Sequence, residues 1–164
     1  MADEEKLKEY IEHSKPLFQE GMELIQDMLG WTRVGDESEI INCFRRPNEG
    51  SDVDIFKAEV YYDGPVEKVS RWLFDNWGFV NKELTPEDSE KFERIKEFNP
   101  NARTSYSLSK PKGPVSARDG VSFGMFLPIG ENSFAQISHS IDSDIPVPEG
   151  VIRAELRLAV HLFE

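Results

Sequence analysis

From Phe92 to Phe163 the apolar residues recur at every second position, run after run, with turn residues between the runs. The runs are Phe92 to Phe98, Thr104 to Ser109, Gly120 to Phe126, Phe134 to Ser140 and Val151 to Phe163; Asn99-Pro100-Asn101, Lys112-Gly113-Pro114 and Gly130-Glu131-Asn132 punctuate them. Alternation of this kind sends successive side chains to opposite faces of a strand, so this half of the chain must form an antiparallel sheet with one face to cover. The last run is the clearest. Ile152, Ala154, Leu156, Leu158, Val160 and Leu162 fall on one face, and Arg153, Glu155, Arg157 and His161 on the other.

The first half reads differently. Apolar residues from Leu7 to Leu29 follow steps of three and four, which predicts a helix ended by Gly30, with a kink at Pro16 or a restart capped by Ser14. Trp31 to Val34 and Glu39 to Arg45 flank Gly35-Asp36-Glu37-Ser38 as a hairpin, and Phe56 to Tyr62 alternate as a third strand. Pro65 opens a second helix to about Asn76, with Val66, Val69, Trp72, Leu73 and Trp77 expected on its buried side. Asn81 to Glu90 is charged and aperiodic and reads as loop. The fold class is therefore α+β: a leading helix, three strands, a helix, then at least five strands in one long curved antiparallel sheet.

Composition narrows the function classes. The chain of 164 residues carries 31 acidic and 19 basic residues, a net charge of −12 that repels phosphate backbones and argues against nucleic-acid binding. Its single cysteine, Cys43, and the polar start MADEEKLKEY predict a cytoplasmic protein with no disulfide and no signal sequence. His13, His139 and His161 form no metal-ligand spacing. Lys112-Gly113-Pro114 and Gly120 to Gly124 lack the residues of a phosphate loop, and Asp142 and Asp144 lack the glutamate of a calcium loop. Glu87, Asp88 and Glu90 read as a solvated loop cluster. No metal, cofactor or catalytic group is expected, and the chain is read as a non-enzyme.

Two segments carry a resemblance. Gly113-Pro114-Val115-Ser116-Ala117-Arg118-Asp119-Gly120-Val121 opens one strand, and Ser140 to Glu155, ending Gly150-Val151-Ile152-Arg153-Ala154-Glu155, leads into the next but one. In order and spacing they resemble the START family of lipid-transfer domains, with weaker likeness at Gly30-Trp31, Phe56 to Val60 and Gly64 to Val69. The resemblance implies a helix-grip fold, in which a curved antiparallel sheet wraps a long C-terminal helix around an apolar tunnel for one lipid. It implies a lipid-binding or lipid-transfer domain that takes a phospholipid or another apolar molecule and touches membranes transiently. Two alternatives stand beside it: a ligand-free regulatory module acting through protein contacts, and a hydrolase or cyclase on a related scaffold.

Under that reading Tyr106, Val121, Phe123, Met125, Ser138, Ser140, Ile152, Ala154, Leu156 and Leu158 are the expected tunnel lining, with Tyr106, Ser138 and Ser140 as polar contacts. Arg118, Asp119 and Arg153 are expected to clamp neighbouring strands as ion pairs. Gly120 stands where the family pattern has phenylalanine. The expected domain spans residues 1–164 and is truncated relative to the family, stopping before its long C-terminal helix. The apolar row from Ile152 to Leu162 would then be covered by the N-terminal helix, by a second copy in a homodimer, or by the rest of a longer protein.

Overall fold

The computed structural model describes residues 2–80, 83 and 85–164. Helix α1 (Ala2–Gln26) leads into β1 (Thr32–Val34), β2 (Ile41–Arg46) and β3 (Ile55–Val60), followed by α2 (Val66–Asp75) and the short α3 (Trp77–Phe79). The remainder is β4 (Ser89–Asn99), β5 (Ala102–Ser109), β6 (Arg118–Pro128), β7 (Phe134–Ser140), β8 (Ile152–Arg153) and β9 (Ala159–Phe163). The strands form a small antiparallel sheet in the order β1-β2-β3 and a larger one in the order β4-β5-β6-β7-β9, where the expectation was one continuous sheet.

The final run is not one strand. Ile152 and Arg153 lie parallel to Arg118 and Asp119 of β6, beyond the point where β7 stops pairing. The Ala154 N–H donates to Asp119 O, and then Ser140 N–H donates to Leu156 O, so the chain changes neighbours and must leave the ladder between β8 and β9. Its alternation therefore does not produce one buried row. Ile152 and Leu156 are exposed, whereas Leu158 and Val160 pack into the core.

Helix α1 runs unbroken through Pro16. Both Pro16 and Glu12, whose carbonyl loses its helical donor, lie on the exposed side, so water can replace the missing bond. Ser14 caps nothing. It is fully buried, 2.8 Å from Tyr10 O and 2.9 Å from His139 Nε2. Gly21 lets the helix sit close on β9, where an added Cβ would fall 2.4 Å from Val160 Cγ2. The core joins Tyr10 of α1 to Ala102, Phe123, Met125 and Ile137 of the sheet, with Leu7, Ile11, Leu17, Phe18, Phe98 and Leu127 around them. At its far end, Asp27 holds Arg46 of β2 at 2.5 Å.

Helix α2 lies on the opposite side of the large sheet. It buries Ser70 and Phe74, while Trp72, expected inside, is exposed. The small Ser70 brings the helix backbone close enough for Gln136 Nε2 to donate to Ser70 O at 2.7 Å. Phe74 meets Phe126 with ring centres 5.7 Å apart. The stretch read as loop, 81–90, includes residues 81, 82 and 84, which lie outside the described residues; β4 begins within it, at Ser89. No described helix is long and apolar enough to cross a membrane.

Candidate ligand-binding face

Strand parity divides the large sheet into two unlike faces. On the side of α1 the register aligns Tyr106 with Val121, Thr104 with Phe123 and His139, Met125 with Ala102 and Ile137, and Ile137 with Val160. This face is solid. Phe123 is fully buried and touches the rings of Tyr10, Phe98 and His139.

On the side away from α1 the same register aligns Ser107 with Gly120, Ser105 with Ser122 and Ser140, and Arg103 with Gly124, Ser138 and Ala159. Helices α2 and α3 cover only part of it. A Cβ placed on Gly124 would meet Ser138 Oγ at 3.4 Å and Ile137 O at 3.9 Å, both within the sheet, and no other described atom within 4 Å. An open cleft of about 450 Å³ lies here, lined by Ser107, Gly120, Ser122, Ser140, Ala154 and Leu156 and rimmed by Asp88, Arg118 and Glu155. That size suits a small-molecule or lipid segment.

The ten residues expected to line a tunnel are thus divided. Tyr106, Val121, Phe123 and Met125 belong to the packed face beneath α1, where Leu158 also joins the core. Ser138 and Ser140 belong to the open face, and Ala154 and Leu156 stand beside Ser140 at the cleft. Ile152 is exposed next to Arg118. The reading by hydrophobicity passed over Ser105, Ser107, Ser122 and Gly124. Their trace in the sequence is the alternation Gly120, Ser122, Gly124 set between Val121, Phe123 and Met125.

Of the three clamp residues, two meet. Arg153 donates through Nε and Nη2 to the Asp119 oxygens at 2.7 and 3.0 Å, and through Nη2 to Ile145 O at 3.0 Å. The Asp119 side chain is fully buried, and its bond to Arg153 holds the carboxyl below the usual range despite burial. Tyr106 also donates to it; burial and the neighbouring carboxylate raise the phenol. Arg118 is exposed and joins no ion pair among the described residues.

Two further polar groups are built into the covered parts. Arg103 stacks 3.9 Å from the Phe74 ring centre and donates to Phe74 O at the end of α2, and its burial, reinforced by Arg94, pushes the guanidinium down to about 10. His139 is buried with Nδ1 2.9 Å from Ser140 O, which can only accept, so Nδ1 carries the proton. Burial lowers its affinity for a second proton, so the ring is neutral at pH 7, and Nε2 and Tyr10 O share the single proton of Ser14 Oγ between them. Among the described residues no three His, Cys, Asp or Glu side chains gather to hold a metal.

No family model matches the sequence, and no curated protein does. Solved structures do match its shape. Human STARD10 superposes with a TM-score of 0.71 at 17% identity, over 88% of this chain and 58% of that one. The chain has the fold of StAR-related lipid transfer domains. Human StAR-related lipid transfer protein 5 gives 0.68 at 16% identity, over 87% of this chain and 68% of its own. A STAR-related lipid transfer protein from Xanthomonas axonopodis gives 0.64 at 22% identity, over 82% and 81%. In this helix-grip fold the α1 side of the sheet is the packed layer, and the opposite side is the one left partly open here.

Proposed function

We propose that this START-fold chain is a non-enzymatic lipid-binding domain that holds one ligand against the sheet faces turned away from α1. The observation that carries the reading is the floor at Gly120, Ser122 and Gly124, three positions that bear nothing larger than serine and that α2 approaches only through Arg103, the cross-strand partner of Gly124. A second layer is needed over such a floor, and a ligand can supply it. The small sheet supports the same reading. On β1 to β3 the parity that includes Val34, Ile41, Phe56 and Val60 leaves all four exposed, opposite the side on which Arg46 meets Asp27. Covering such surface stabilises a complex by roughly 25 cal/mol per Å² of apolar area.

The cleft beside Gly120 and the apolar side of the small sheet would then serve the polar and apolar parts of one amphiphile, acquired during brief contact with a membrane. The test is extraction. The delipidated 164-residue chain is incubated with mixed-lipid vesicles, separated from them, and weighed by native mass spectrometry. A complex with one lipid per chain is expected; a folded chain that repeatedly returns without lipid overturns the proposal.

A further inference from the structure

We infer that the open face selects the polar end of a neutral amphiphile, a lipid whose headgroup presents hydroxyl or amide groups and carries no phosphate; this deepens, and rests on, the lipid-binding reading above. Ser105, Ser122 and Ser140 stand opposite one another on three adjacent strands, and Ser138 follows across Gly124. Neighbouring strands lie about 4.8 Å apart, so one small headgroup and its linkage can reach hydroxyls on two of them at once.

The chain itself leaves these hydroxyls unanswered. Ser105 is only 7% exposed, yet its hydroxyl has no partner among the described residues, and the same is true of Ser122 and Ser138. No fully enclosed polar side-chain atom lacks a partner among the described residues, so the Ser105 hydroxyl is not sealed off, and its cross-strand neighbour Ser122 lines the cleft. Ser140 accepts the Leu156 N–H at 2.8 Å and retains its own proton to donate. Water can satisfy such groups without ligand. A hydroxyl or amide can replace that water, whereas an acyl chain would strand each buried hydroxyl without a partner.

Charge gives the phosphate little to hold. Arg103 is committed to Phe74 O, and Arg153 to Asp119 and Ile145 O. The one remaining guanidinium at the cleft, Arg118, shares its rim with Asp88 and Glu155. A phosphodiester entering here would meet a single lining guanidinium, Arg118, with the Glu155 carboxylate beside it and Asp88 held by Lys112, whereas the serine row offers it no charge.

The test uses single-chain lipids that share one acyl group: a monoacylglycerol, lysophosphatidylcholine and lysophosphatidic acid, each titrated into the delipidated chain. The monoacylglycerol is expected to bind about tenfold tighter than either phospholipid, the worth of one to two neutral hydrogen bonds. In Ser105→Ala/Ser122→Ala/Ser138→Ala that ratio is expected to shrink to about threefold or less, with the double variant Ser122→Ala/Ser138→Ala used if the triple variant does not fold. Equal affinities in the wild-type chain, or a ratio untouched by the substitutions, overturns the headgroup assignment. Competition by free glycerol as strong as by the monoacylglycerol overturns it too, because the occupant is then a soluble polyol. Failure to bind any of the three lipids sinks the lipid-binding reading itself.

Discussion

Phe123 and Gly124 are neighbours in β6 and belong to different worlds. Phe123 points into a layer closed by α1, where three rings touch it and nothing is accessible. Gly124 points the other way, onto a floor of serine and glycine with no other layer of described atoms within reach of a Cβ. One strand thus carries the stability of the fold on its odd positions and the candidate site on its even ones. The side that looks most lipid-like by composition is the one already filled by the protein.

The sharpest way to break this contrast is to empty the packed face. Phe123→Ala is expected to cost about 3–5 kcal/mol, measured as a lowered urea midpoint with unchanged slope. A cost below about 1 kcal/mol would mean that α1 does not seal this layer. Next comes the buried carboxylate. Asp119→Asn removes the charge and one of the two acceptor oxygens that face Arg153, and because Arg153 is partly exposed the expected loss is about 2–3 kcal/mol, below that of a fully buried pair. The same group predicts acid sensitivity. Its folded pKa is depressed, so its contribution is present above about pH 4 and is lost as pH falls through the lower folded value.

Histidine titration gives a milder effect at higher pH. The unfolded chain takes up a proton at His139 near pH 6.5, the buried ring only at lower pH, so stability declines as pH falls through that window. Denaturant midpoints measured from pH 7.5 to 5 should show the decline, and His139→Gln should lessen its slope. An unchanged slope would place the titration elsewhere. The smallest change in stability is expected at the open face. Gly124→Val adds a side chain where Ser138 Oγ is the nearest contact, so the midpoint should move by about 0.5 kcal/mol or less while lipid extraction is lost. A destabilisation as large as that of Phe123→Ala would show that the floor is already covered.

Much of this organisation is legible in the chain. The switch from steps of three and four in α1 to steps of two from Phe92 onward marks helix and sheet, and the Pro-Val-Ser and Gly-Val-Ile-Arg segments mark β6 and β8. The Asp119–Arg153 pair follows from two segments that open neighbouring strands. Other features were not legible there. Ser14 reads as a cap because serine favours that place, yet it is buried because α1 rests it on His139. The run from Ile152 to Leu162 reads as one strand because alternation is local, whereas its break is enforced by Asp119 and Ser140, residues far away in the chain.

Alternation alone determined which residues of each strand share a side, since the backbone sends successive side chains in opposite directions whatever surrounds them. It could not determine which side would be filled. That was decided by the placement of α1 against Phe123 and Ile137, made possible by the close approach at Gly21. Period is a property of the backbone, but cover is a property of the partner, and the partner is chosen only when the chain packs on itself.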